Sequence, residues 1–510
     1  MTRTFVLGID GGSWRILDDL ELSAFEQLRD KGTTGTLQST LPPITYPAWK
    51  CYSTGKNPGK LGVFGFLNFD REKRANRQND ATHFDSAELW DYLSNEGKRA
   101  GVVNMPTTSP PHEINGLMIA GPNSDRSGFV TPANREPEIT ELGYVPLTNG
   151  SRLAIKSGDE KTITTVEELI ESRFRVARKL IAGESFDFFQ LTIYCTDPVQ
   201  HHFWDGQELL ETYQCLNQEL ETLLERLEAD DEEWNVVVVS DHGFQPIRGT
   251  VYLDTWLERE GFLHRKEDGN SGTSLLQTAG LTSNNAVRMI RTLGLERLVG
   301  RLPDSMTSSI AHRLPSRSRL SVVDSVDWER SDAVFLMGGI YILDKARRQE
   351  IIEELVESLT SFTKNGNRVI DKVHKTDAVY NGTYLESAPD LITVSDDYNL
   401  LGFSRDGSLF TSEHPWIAAH EMEGLFIGTG PEFQEKSDVG LDIYDVAPTV
   451  LHAMDCAVPT DIDGSVRNDI LAGDDDVQKR DPLTQQRDTG LPGANQDQMM
   501  ENLKQLGYLE

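Results

Sequence analysis

Val236-Val237-Val238-Val239-Ser240-Asp241-His242-Gly243 is the stretch that decides the fold. Four consecutive apolar β-branched residues suit a strand buried on both faces, which is the condition of a strand inside a parallel sheet covered by helices. Short runs of the same kind recur at Phe5 to Ile9, Ala100 to Asn104, Phe188 to Tyr194, Leu391 to Val394 and Leu425 to Gly428, separated by stretches of helical period. Helices are expected at Val166 to Ala182 and Glu208 to Glu228. Strands alternating with helices predict an α/β fold with a mostly parallel central sheet and helices on both faces.

At 510 residues the chain exceeds the size at which one core stops growing, so insertions into a large domain are expected. The strand rhythm holds over residues 1–248 and 328–470, which read as the core. It lapses over 249–327, which reads as an inserted helical cap. From Asn285 to Leu320 within that segment, seven arginines (Arg288, Arg291, Arg297, Arg301, Arg313, Arg317, Arg319) stand against two acids, Glu296 and Asp304. They either draw an anionic substrate over the site or pair with the acidic body. Residues 471–497 read as a flexible linker and 498–510 as a helical tail.

Forty-nine basic against 81 acidic residues give a formal charge of −32. Such density suits concentrated salt, where the screening length falls to roughly 3 Å at 1 M, so a halophilic setting is expected. A global negative field opposes a nucleic-acid backbone, which excludes large nucleic acids as partners. The N-terminal apolar run is too short for a signal segment, and no later run reaches the length of a membrane span, so the chain reads as cytoplasmic. The four cysteines, Cys51, Cys195, Cys215 and Cys456, are widely spaced and read as reduced. No sequence signal bears on oligomeric state.

In an open parallel sheet, ligands bind beyond the carboxyl ends of the strands. Those ends deliver Asp10, then Asp197 and His201, then Asp241 and His242, the oxygen and nitrogen donors of zinc and similar ions. Asp197-Pro198 reads as a helix start, which sets His201 one turn later on the same side. Each fragment alone also reads as a cap or a turn; three strand ends converging on one edge favour a site. Pro42-Pro43-Ile44-Thr45-Tyr46-Pro47 reads into a helix beginning near Pro47, with Thr45 just ahead of an N-terminus that favours a phosphoryl group.

Gly8-Ile9-Asp10-Gly11, the run from Pro42 through Thr45 to Thr54-Gly55-Lys56-Asn57-Pro58-Gly59, Thr196-Asp197-Pro198-Val199-Gln200-His201, Ser240-Asp241-His242-Gly243 and His420-Glu421-Met422-Glu423-Gly424 together resemble the type I phosphodiesterase and nucleotide pyrophosphatase branch of the alkaline-phosphatase superfamily. The resemblance implies an alkaline-phosphatase-like fold with two divalent metal ions, usually zinc, with manganese or iron as alternatives. Asp10, Thr45, Asp241 and His242 would hold one ion; Asp197, His201 and His420 the other. Thr45 would be the nucleophile, forming a phosphothreonine intermediate on a small anionic phosphate-ester substrate. His420 is preferred over His414 for its distance to the following strand, and His202 is set aside because it would point away from the helix face that Asp197 and His201 share. Counting from Thr45 places Phe66 where nucleotide pyrophosphatases carry a phosphate-clamping Asn, with Asn68 as the candidate substitute. A phosphomonoesterase or phosphotransferase with the same centre, and a non-catalytic relative that binds an anionic ligand, are the competing readings. Tyr46, Trp49 and Phe66 are either core or a stacking surface for a base or sugar.

Overall fold

The computed structural model describes residues 2–484 except 267–324, 148–159 apart from Ile155, and the short gaps at 85, 123, 125–126, 405–406, 413 and 474–475. The seven named arginines of the expected cap, residues 485–497 of the expected linker, and the 498–510 tail lie outside the described residues.

Nine strands form the central sheet. In chain order they are β1 (Arg3–Ile9), β2 (Gly32–Gln38), β3 (Ala100–Met105), β4 (Gly116–Ala120), β5 (Val130–Thr131), β6 (Phe188–Ile193) and β7 (Trp234–Val239). Next comes β8 (Gly243–Pro246) and β9 (Ala418–Glu421), a separate two-stranded ribbon, and then β10 (Glu423–Thr429) and β11 (Lys436–Asp442) complete the sheet. Across it the order is β11-β2-β10-β7-β1-β6-β3-β4-β5. The central run from β7 to β4 is parallel throughout, with β1 between β7 and β6.

The quoted valines behave as their pattern demands. Val236 and Val238 join the apolar cluster on one face with Phe5, Leu7 and Ile9, while Val237 and Val239 join the cluster on the other face with Val6. The first face is covered by α2 (Glu160–Gly183) and α4 (Gln207–Glu228). The second is covered by α1 (Thr45–Thr54) and α5 (Val446–Ala453). A period-2 strand with apolar residues at every position therefore hides both sets of side chains, each Val contributing about 1.5–3 kcal/mol of burial.

Two expected strands differ from the parallel reading. β10 runs antiparallel to both β2 and β7. Its first residues therefore lie at the edge where β7 ends, and β9, one residue earlier, reaches the same edge. The Leu391–Val394 strand belongs to a separate antiparallel four-stranded sheet with Ala333–Leu336, Gly339–Ile342 and Lys372–Lys375. That second sheet has its own core, into which Ile44 and Tyr46 insert. The residue between them, Thr45, is thus held between two packed bodies.

Candidate metal centre

Thr45 is the first residue of α1, two positions earlier than the sequence suggests, because Ile44 already adopts the extended capping conformation. Pro47 becomes the third helical residue, which removes one of the N–H groups this helix end would otherwise offer. The helix carrying Asp197 and His201, α3 (Thr196–Phe203), likewise starts early: Asp197 is its second residue and Pro198 its third. The one-turn spacing survives, with His201 Nε2 3.5 Å from Asp197 Oδ1.

β1, β6 and β7 are neighbours, so the strand-end residues meet. Asp10, Asp241 and His242 form one triad; Asp197, His201 and His420 form a second. Thr45 Oγ1 lies 3.5 Å from Asp10 Oδ1 and 3.4 Å from His242 Nε2. His420 arrives on β9, whose pairing with β8 sets it opposite Phe244, two residues after His242. Its Nε2 is 3.0 Å from Asp197 Oδ1 and 3.1 Å from His201 Nε2, and its ring stacks on that of His242 at 3.7 Å. The two triads therefore share a wall. Six of the seven residues are buried and His420 is half-buried, its side chain 9% exposed.

Each imidazole is fixed by a main-chain carbonyl. His201 Nδ1 faces Ala418 O at 2.9 Å, His242 Nδ1 faces Gly243 O at 3.1 Å, and His420 Nδ1 faces Pro43 O at 2.7 Å. A carbonyl has no proton to give, so each Nδ1–H donates, and in a neutral ring the Nε2 then carries the lone pair. The three Nε2 atoms point at carboxylates, which when ionised also only accept. Asp241 Oδ2 is buried without a hydrogen-bond donor among the described residues although His242 Nε2 is 3.1 Å away. Acceptors gathered this closely without protons between them are the donor set of divalent cations, with outer hydrogen bonds that orient the ligands. The residues present fit that group.

Protonation follows from the same burial. Desolvation, and then the charges of Asp241 and Asp197, push the Asp10 carboxyl well above its usual range. Desolvation, with Asp197 adding to it, does the same to Asp241, against the hydrogen bond from Gly11 N at 3.0 Å. Gly11 makes that bond at φ +71°, where a Cβ would also strike the Phe244 ring. Burial and the His420 ring hold His201 and His242 well below the ordinary imidazole value, so both stay neutral and able to bind a cation.

His202 turns to Pro415 O, and His414 Nδ1 accepts from Trp416 N; neither joins a triad. Tyr46, Trp49 and Phe66 are core residues, at most 3% exposed, with Tyr46 and Phe66 in ring contact at 4.5 Å. No stacking surface exists there. Asn68 braces its own loop: Oδ1 accepts from Phe64 N and Asn79 Nδ2, and Nδ2 donates to Gly62 O, so its amide is spent locally. A third group, Glu88, Asp91 and His112, has metal-like composition. There the positive charge is Lys50, whose Nζ is 2.7 Å from Glu88 Oε1 with both side chains fully buried.

A mostly parallel sheet flanked by helices, with Asp and His triads at the strand ends, is the alkaline-phosphatase-like class of fold. The family model described as type I phosphodiesterase / nucleotide pyrophosphatase matches residues 4–408, and the chain belongs to that family. Human ectonucleotide pyrophosphatase / phosphodiesterase 5 shares the fold at a TM-score of 0.55 with 13% identity, over 92% of this chain and 100% of its own. The murine protein, solved as an inactive threonine-to-alanine form in complex with AMP, gives 0.54 at 13% identity over 92% and 100%. Phosphonoacetate hydrolase from Sinorhizobium meliloti, in complex with phosphonoformate, gives 0.57 at 16% identity, over 89% and 95%. No curated protein matches in sequence. Among the described residues no helix is long and apolar enough to cross a membrane.

Proposed function

We propose that the protein is a phosphodiesterase that binds two divalent cations and attacks its substrate through Thr45. The observation that carries this reading is the convergence of three Nε2 lone pairs and three carboxylates on one buried spot, with Thr45 Oγ1 at its edge. Asp10, Asp241, His242 and Thr45 would hold one cation, and Asp197, His201 and His420 the other. Zinc suits the mixed nitrogen and oxygen donors, and manganese or iron would also be accepted.

When bound, such cations supply Lewis-acid stabilisation of charge developing on the phosphoryl oxygens and on the hydroxyl. Thr45 Oγ1 loses its proton and attacks phosphorus, the ester oxygen departs and takes up a proton to leave as the alcohol, and water then cleaves the resulting phosphothreonine, its oxygen going to phosphorus and a proton to Thr45. Burial of Ile44 and Tyr46 on either side holds the Thr45 oxygen on the site, so little rotational freedom is lost in the attack. Three carboxylates against two divalent cations leave a small positive excess. That balance matches the single charge of a diester better than the two charges of a monoester. The murine relative supports the reading, since its threonine-to-alanine form is inactive and was solved in complex with AMP. The acidic composition supports a working medium of concentrated salt.

The test is metal content by elemental analysis, followed by turnover of bis(p-nitrophenyl) phosphate against p-nitrophenyl phosphate in high salt. Two equivalents of metal and faster diester cleavage are expected. A folded protein that retains no stoichiometric metal, or that prefers the monoester, contradicts the proposal.

A further inference from the structure

Asp10 has two carboxylate oxygens, and the torsion that exchanges them is soft. Its main chain is held firmly: Asp10 N donates to Ile193 O, and Asp10 O accepts from Thr196 Oγ1 at 2.7 Å and Gln200 Nε2 at 3.3 Å. Only the side-chain torsion is left to decide which oxygen faces Thr45. Trp49 Nε1 donates to Asp10 Oδ2 at 2.9 Å, with both residues fully buried. The other oxygen, Oδ1, is the one 3.5 Å from Thr45 Oγ1 and 3.8 Å from His242 Nε2. Trp49 lies one turn beyond Thr45 on α1, so one helix face carries both the hydroxyl and the donor that aims its neighbour. The indole is itself wedged. It meets Tyr52 edge-on at 5.4 Å, and a Cβ at Gly8, on the strand that delivers Asp10, would lie 2.7 Å from Trp49 Cη2.

We propose that Trp49 is a positioning residue: its indole N–H fixes the Asp10 carboxylate so that Oδ1 faces Thr45 and the cation-binding edge. This rests on the two-cation reading above. Loss of an outer hydrogen bond of this kind weakens metal binding by roughly 10–100-fold.

The test replaces Trp49 with 3-benzothienylalanine, which keeps the ring shape and lacks the N–H, alongside Trp49→Phe. Zinc affinity is read by competition with a chromophoric chelator, and diester turnover as kcat and KM separately. One of the two zinc equivalents should bind about 10–100-fold more weakly in both variants, with kcat falling and KM little changed. A benzothienyl variant that binds both equivalents like wild type, with only Trp49→Phe impaired, would show that the ring merely packs and overturns the proposal. Indole 15N–1H spectra of the wild type give a second readout, assigned through Trp49→Phe: the Trp49 signal should move during zinc titration, and a signal unmoved through two equivalents overturns the proposal. Wild type that binds no zinc at all contradicts the two-cation reading and this inference with it.

Discussion

Asp241→Asn should stabilise the metal-stripped protein and remove most of its stabilisation by metal. Asp241 is 1% exposed, and its Oδ2 has no donor among the described residues while facing the His242 Nε2 lone pair at 3.1 Å. An Asn placed there keeps the oxygen that accepts from Gly11 N and offers an NH2 group to His242 Nε2. One hydrogen bond is gained, worth about 1 kcal/mol, and one buried charge disappears, for a combined gain of about 1–3 kcal/mol. At about 2.1 cal/mol/K of unfolding entropy per residue, a chain of 510 residues shifts by roughly 1 °C per kcal/mol, so the melting temperature in chelator should rise by about 1–3 °C at pH 8. The sign with pH is fixed by the raised folded-state values of Asp10 and Asp241. The folded protein holds those protons after the unfolded chain has released them, so metal-free wild type loses stability as pH climbs above about 4, and the Asn advantage grows over the same range. Calorimetric melting in EDTA and in excess zinc, at pH 4 and pH 8, measures all four corners. A variant that melts lower than wild type in EDTA at pH 8, or that gains as much from zinc as wild type does, refutes the reasoning.

Other perturbations separate the site from its surroundings. His420→Ala should leave the Asp10 triad intact and cut metal content from two equivalents to one, read by elemental analysis; retention of both would remove His420 from the ligand set. Lys50→Met should cost about 3–5 kcal/mol in denaturant titration, because it strands a fully buried Glu88, yet leave metal content unchanged. Metal loss in a folded Lys50→Met protein would instead tie that cluster to the centre. Asp254 is buried with its carboxyl pushed up to about 7 by desolvation, and its Oδ2 lacks a partner among the described residues. Folding stability should therefore fall as pH rises from about 4 through 7, and Asp254→Asn should flatten that slope; equal slopes for the two proteins would contradict the assignment.

Much of the fold was legible because burial on both faces leaves a mark that needs no partner strand: the valines at 236–239 and the run at Phe5–Ile9 read as interior strands from their own composition. The same logic brought Asp10, Asp197, His201, Asp241 and His242 to one edge. Strand direction was not legible. Leu425 to Gly428 reads the same either way, and only its pairing shows that it runs against its neighbours. That reversal explains why His420 precedes its strand whereas the other ligand candidates follow theirs. Helix starts were misplaced at Thr45 and Asp197, where Pro47 and Pro198 suggested first positions and instead occupy third ones. The role of Trp49 was hidden for a different reason. A tryptophan four residues after a threonine looks like core, and it is core; its single polar atom happens to meet Asp10. Composition could not reveal that, although Gly8 in an otherwise bulky strand marks the space the ring needs.

The most direct measurement of the central claim is hydrolysis of bis(p-nitrophenyl) phosphate by wild type and Thr45→Ala, each zinc-loaded and each chelated. Among the described residues the Thr45 hydroxyl makes only polar contacts of 3.4 and 3.5 Å, so the alanine variant should fold and keep both triads. The account predicts turnover by zinc-loaded wild type alone. Undiminished turnover by Thr45→Ala, or by chelated wild type, would contradict it.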